Sequence, residues 1–250
     1  MQNGKQFLRQ QREVFEQDDP AHFFWQTENP VISQTERKLF DGLFYSPERF
    51  LEIGCGEGGN LSNLLAIESD DFHPHLSVGV DFSLKKVQFA HRQLPNTAFI
   101  CADGHRLPFQ DHTFHAILCR DVLHHVEDPN RLIAELARLC TPGGLVVFLE
   151  PNHLNPLMLL LGLARPFERG ILKSSAHRLR AMLIGRFATI EVRYRQPFPI
   201  SRLLLHYQFG LSKLGYLKWI GTLLRVTEAS AQLIPRPWWA YICIRAITFK

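Results

Sequence analysis

The run Phe50-Leu51-Glu52-Ile53-Gly54-Cys55-Gly56-Glu57-Gly58-Gly59-Asn60 joins an apolar strand to a helix start through a glycine turn. Gly54, Gly56 and Gly58 let the backbone turn tightly and approach a ligand, and a helix capped by Asn60 aims free N–H groups at a carboxylate or phosphate in the crevice. Such a turn is a cofactor cradle. The glycines alone do not name the cofactor, because Gly54, Gly56 and Gly59 also satisfy the dinucleotide pattern G-x-G-x-x-G. Glu52 favours one answer: an acid two residues before the first glycine repels a pyrophosphate but accepts hydrogen bonds from an ammonium group. An amino-acid-bearing cofactor fits it better.

Further motifs follow in order: Val78-Gly79-Val80-Asp81-Phe82-Ser83, Cys101-Ala102-Asp103-Gly104, Arg106 to Asp111, Phe114 to Cys119, Asp121-Val122-Leu123-His124-His125-Val126 and Pro142-Gly143-Gly144. With them, the chain from about Phe50 to Asn152 resembles the class I S-adenosylmethionine-dependent methyltransferases, whose first motif, E/D-x-G-x-G-x-G, stands here as Glu52 to Gly58. The resemblance implies S-adenosyl-L-methionine as cofactor. It sets Glu52, Gly54, Cys55, Gly56 and Gly58 at the methionine end, Asp81 on the ribose hydroxyls, Phe82 beside the adenine ring and Asp103 with Gly104 at the adenine amino group. Cys119, at the end of the fourth strand, is counted among the contacts. The implied fold is α/β and Rossmann-like: a seven-stranded, mostly parallel sheet with helices on both faces and its last strand antiparallel.

Methyl transfer from a sulfonium is a direct displacement, so a protein contributes mainly by orienting two molecules, worth up to about 7–11 kcal/mol in the best intramolecular cases. A base is needed only if the acceptor must lose a proton. His124 and His125 are the candidates for it, against a competing reading as packing or cofactor contacts; His153 and Glu150 are alternative bases. Adjacent in sequence, the two histidines are expected to point different ways, and no carboxylate–histidine spacing suggests zinc, so no metal is expected. The five cysteines are spread singly and read as reduced core residues.

A chain of 250 residues with 46% hydrophobic content can bury one large core. Its charge is uneven: residues 1–150 hold 13 Lys/Arg and 21 Asp/Glu, residues 151–250 hold 15 and 3. The basic part either meets an anionic partner, such as a membrane surface, or is a solvated face balanced by the acidic half. Leu157 to Ala164 is far short of the roughly 20 residues that span a bilayer, and no secretory signal is visible. The expectation is a cytoplasmic protein acting on a small or amphipathic acceptor, a lipid-linked one included; the apolar run Leu157 to Ala164 and the basic tail are read either as a peripheral membrane contact or as a roof over the pocket. Nucleic acid is disfavoured, because the basic residues are scattered on an apolar helical background and no Asn/Asp-Pro-Pro-Tyr/Phe tetrapeptide follows the fourth strand. Intact Glu52, Asp81 and Asp103 disfavour a binding protein without turnover.

These residues need elements to carry them. Short apolar runs alternating with amphipathic segments predict strands near 49–53, 76–80, 98–101, 114–119 and 145–150, with helices at 60–67, 84–93 after Ser83 and 129–140 after Asp128. Ser33-Gln34-Thr35-Glu36 has capping-box form and predicts a helix ending near Tyr45. Residues 68–75 read as a surface loop and Phe23-Phe24-Trp25 as a satellite core or a lid. Further on, a helix over Ser175–Ile184 is ended by Gly185, strands cover Ala188–Arg195 and Trp239–Phe249, and Ile200–Ile234 forms an insertion with leucines at helical spacing. Three parts result: an N-terminal arm (1–45), a cofactor-binding core (46–152) and a C-terminal part (153–250) that completes the sheet and carries the insertion.

Overall fold

The computed structural model describes residues 16–67 and 72–250, so residues 1–15 of the expected arm and 68–71 of the expected loop lie outside the described residues. The strands are Arg49–Ile53 (β1), Leu76–Asp81 (β2), Ala98–Cys101 (β3), Phe114–Arg120 (β4), Cys140–Pro151 (β5), Thr189–Arg195 (β6) and Tyr241–Ile247 (β7). They form one sheet in the order β3-β2-β1-β4-β5-β7-β6. The first five pair in parallel, while β7 runs antiparallel to both β5 and β6. Strand order reverses between β1 and β4, and the crevice at the carboxyl ends of these two strands is where such sheets bind ligands.

Helices coat both faces: Pro20–Glu28 (α1), Pro30–Phe40 (α2), Gly59–Leu65 (α3), Leu84–Gln93 (α4), Pro129–Leu139 (α5), Pro156–Ala164 (α6), Ala176–Leu183 (α7), Ile200–Leu204 (α8) and Lys218–Ser230 (α9). Covered on both sides, the strands are near-continuous apolar runs, as in β4, where only His115 is not fully buried. Asp128 caps α5 by accepting from the Arg131 amide at 3.1 Å, and Pro129 fits its first turn. The helix then buries Leu132, Ile133, Leu136 and Leu139, each worth about 1.5–3 kcal/mol. Among the described residues no helix is long and apolar enough to cross a membrane.

Three segments differ from the sequence expectation for physical reasons. The strand expected at 145–150 begins at Cys140, because a register shift between Phe114 and Ala116 lets Cys140 pair before the Gly143–Gly144 irregularity. The helix expected from Ser33 starts at Pro30, since the Asn29 side chain accepts from the Val31 and Ile32 amides and takes over the cap. Glu36 is thereby released from the capping box and points into the core. The insertion is no single helix: α8 stops after five residues and short 3₁₀ turns at Tyr207–Phe209 and Ser212–Tyr216 precede α9.

Candidate active site

Three glycines within five residues have left-handed backbone: Gly54 (φ 70°), Gly56 (51°) and Gly58 (85°). A Cβ on Gly54 would stand 2.3 Å from Val122 Cγ2, so only glycine fits there, whereas nothing lies within 4 Å of that position on Gly56. The turn is tied to β2 by the Gly54 and Cys55 amides, which donate to the Val80 carbonyl at 2.8 and 3.0 Å. Asp81, at the tip of β2, accepts from the Gly56 and Ser83 amides, both at 2.9 Å. Burial pushes its carboxyl above the usual range even with those donors. A carboxylate offers about four lone-pair sites, so two remain for a ligand.

Turn and acid open onto a cavity of about 1480 Å³, large enough for two small molecules together. Gly54, Cys55, Gly56, Asp81, Phe82, Asp103, Gly104, His124 and His125 all line it. Glu52, Gly58 and Cys119 do not, and each has a different neighbour. A Cβ on Gly58 would meet Ala90, Leu94 and Phe99, and Cys119 is fully buried in the sheet core. Glu52 lies fully buried beneath the turn, accepting from Asn60 Nδ2 at 2.7 Å, and burial raises its carboxyl to about 8. Asn60 is therefore no helix cap: Gly58 holds that place, and the Asn60 side chain turns inward. Asp103 accepts from the His105 amide at 3.0 Å, with the His105 ring at 2.8 Å, a neighbour the sequence reading missed.

Behind the turn is a charged hub. Arg120, the last residue of β4, reaches Glu36 Oε2 at 2.6 Å and Asn60 Oδ1 at 2.8 Å through Nη1, and Asp121 at 3.2 Å through Nε. Arg202 of α8 meets the other Glu36 oxygen at 2.9 Å and donates to the Tyr241 hydroxyl at 2.7 Å. Burial alone would raise the Glu36 carboxyl, but Arg120 and Arg202 outweigh it and hold it down at about 2. Arg120, Arg202, Tyr241 and Asp121, whose φ is 55°, all line the cavity. Sequence reasoning passed over this group; its one signal was an arginine closing an otherwise apolar strand.

The histidine pair follows β4. Glu150 is buried, takes the Val122 and Leu123 amides on one oxygen at 3.0 and 2.8 Å, and holds His124 Nδ1 on the other at 2.6 Å. From the 3₁₀ turn Pro166–Lys173, Glu168 approaches Nε2 of His124 at 3.4 Å and of His125 at 3.7 Å. Gly170 of that turn lies so close that a Cβ would overlap the His124 carbonyl. The rings do not diverge as expected: their centroids are 3.9 Å apart and both Nε2 atoms face one carboxylate. His124, His125 and Glu168 also each offer a ligand atom within 4.8 Å of the others. His153 instead contacts the Ser174 carbonyl, away from the cavity.

Charge separates the two rings. Burial disfavours the His124 imidazolium, but Glu150 and Glu168 outweigh it and raise it to about 10. His125, desolvated and beside that cation, falls to about 4 and is neutral near pH 7. His124 therefore stabilises the fold fully below the ordinary value of 6.5, and the contribution is lost as pH rises through about 10. The melting temperature is expected to fall across that window more steeply than in His124→Gln; parallel curves would remove His124 as the cause.

Residues 51–148 match the family model described as "Methyltransferase domain". The chain is 37% identical over 131 residues to a demethylmenaquinone methyltransferase of Renibacterium salmoninarum, covering 50% of this chain and 53% of that one. It is 31% identical over 112 residues to phthiotriol/phenolphthiotriol dimycocerosates methyltransferase 1 of Mycobacterium ulcerans, covering 43% and 40%. The chain thus spans about half or less of the length of these relatives. Among solved structures, phosphoethanolamine N-methyltransferase 2 of Haemonchus contortus with S-adenosylhomocysteine superposes with TM-score 0.62 at 20% identity over 92% of this chain and 57% of that one. A SAM-dependent methyltransferase from Archaeoglobus fulgidus gives 0.61 at 14% identity over 91% and 99%. At these identities the structural likeness speaks for the fold.

Proposed function

We propose that this chain, which carries a methyltransferase domain of the class I S-adenosylmethionine-dependent kind, methylates an amphipathic, lipid-like acceptor. The observation that carries the reading is a single cavity with two unlike walls. One is the glycine turn with Asp81 and Asp103 at successive strand tips; the other carries an apolar surface of Leu157, Met158 and Leu161 of α6, Phe167, Ile171 and Leu203, with Arg165, Glu168 and Arg202 among them.

The residues fit the cofactor. Gly56 leaves open space where a side chain would stand, Asp81 keeps acceptor sites for ribose hydroxyls, and Phe82 lines the cavity beside it. When bound, the cofactor supplies a methyl group already activated on sulfur. What remains for the protein is to hold two molecules in line and keep water out. His124, protonated between two carboxylates, has no lone pair to accept a proton and instead sets a fixed positive charge in the cavity wall. His125 is neutral; as a weak base it suits a proton that leaves together with methyl transfer rather than before it.

Incubating the protein with methyl-labelled cofactor and separate lipid and aqueous extracts tests the acceptor: label is expected in a lipid product, and label confined to aqueous products would overturn the reading. Turnover is expected to be undiminished by EDTA, because His124 already faces Glu150 and Glu168 through its two nitrogens and carries the positive charge there itself. Loss of activity restored by a divalent cation would refute that.

A further inference from the structure

The C-terminal part carries apolar surface that the described chain leaves uncovered. Helix α6, with the sequence Pro-Leu-Met-Leu-Leu-Leu-Gly-Leu-Ala, fully buries only Gly162. Leu159, Leu160 and Leu163 are 40, 61 and 61% exposed, and on α8 Leu203 and Leu204 are 47 and 46% exposed. Leu160 and Leu203 also line the cavity, which puts both helices at its mouth. A helix apolar all round is ordinarily buried. Left in water this one is costly, and apolar surface of this kind marks a contact site.

Charge indicates what covers it. Residues 151–250 hold 15 Lys/Arg and 3 Asp/Glu. Each of those three acids is engaged by this chain: Glu168 with His124 and His125, the half-exposed Glu191 with Arg193 and Arg245, and Glu228 with Ser201. Arg169 and Lys173 are exposed just beyond α6, while Lys213, Lys218 and Trp219 are exposed beyond α8. Apolar helices flanked by cations, in a C-terminal part whose few carboxylates are each paired or hydrogen-bonded within the chain, have the chemistry of an interfacial anchor. A second copy would bring two such basic faces together, and like charges oppose that pairing.

We propose that α6 and α8 seat the protein on an anionic lipid bilayer, their leucines entering the acyl boundary and the flanking Arg and Lys side chains meeting headgroups, so that the cavity mouth faces the membrane. The contact rests on surface chemistry and needs neither cofactor nor acceptor, so its failure and that of the methyl-transfer reading can be told apart.

The experiment is co-sedimentation of the full chain with vesicles of phosphatidylcholine alone or mixed with phosphatidylglycerol. Binding to the anionic vesicles is expected, weakening with added salt. It is expected to weaken about tenfold or more in Leu159→Glu/Leu163→Glu, whose side chains lie outside the cavity lining. An unchanged circular dichroism spectrum keeps that variant interpretable; should it misfold, Arg169→Gln/Lys173→Gln, at exposed positions, gives the same reading through charge. No sedimentation with anionic vesicles, equal binding to both vesicle types, or full binding by the variants would each overturn the proposal, as would a dimer in solution that the leucine variants dissociate.

Discussion

Asp81→Asn is expected to weaken S-adenosylmethionine binding about a hundredfold, measured by calorimetry on the purified protein. Hydrogen bonds to a charged group are worth about 1.5–3 kcal/mol each, and the loss of two of intermediate strength is more than enough for that factor. The substitution keeps the side chain's size while removing the charge that ribose hydroxyls would face. Asp81→Ala is expected to act more strongly, because it releases both the Gly56 and the Ser83 amide, which donate to separate Asp81 oxygens, whereas Asn keeps one acceptor oxygen for one of them. Equal affinity in Asp81→Asn and wild type would refute the ribose role. A loss of affinity accompanied by a large drop in melting temperature would instead indicate that the turn's architecture had failed.

Glu36→Ala is the second large effect, and it falls on stability. Removing one partner from a buried ion pair costs about 3–5 kcal/mol, here by leaving Arg120 and Arg202 facing each other with their common carboxylate gone. For a chain of this size each kcal/mol lowers the melting temperature by about 2–4 °C, so a fall of about 10 °C is expected. The pH dependence carries the same signature. With its carboxyl held near 2 against an ordinary 4.5, Glu36 contributes fully above about pH 4.5 and loses that contribution as pH falls toward 2. The variant should therefore lack the part of the acid unfolding that wild type shows there. A melting temperature within measurement error of wild type would show that the hub does not hold the fold. Because Arg120 also supports Asn60, and Asn60 supports Glu52, cofactor affinity is expected to decline in the same variant.

Short-range signals were the readable part of the fold. The glycine turn, the Asp128 and Ser83 caps and the alternation of apolar runs each depend on residues a few positions apart, and the observed strands and helices follow them. The seven-stranded sheet with β7 antiparallel came from the family resemblance, which local pattern could not have supplied. Glu36 shows where such reading ends: its position satisfied a local capping rule, yet a partner 84 residues away in β4 determines its orientation. The same limit explains His124 and His125. Adjacency predicts divergence, but Glu150 on β5 fixes the His124 ring through Nδ1 and Glu168 beyond α6 faces the Nε2 atoms of both rings, and neither acid is near the pair in sequence. Cys119 ends an apolar run whose strand is buried on both faces, so its side chain lies in the sheet core.

The position of β7 has a consequence during synthesis. This strand supplies the hydrogen-bonding neighbour of both β5 and β6, yet it follows them in sequence by the whole insertion. Until it leaves the ribosome, the growing polypeptide displays an open β5 margin rich in Val146, Val147, Phe148 and Leu149, a template for misassociation with other nascent chains. A stop codon placed just before Tyr241 should therefore yield insoluble material that engages chaperones, even though every proposed cofactor contact has already been translated.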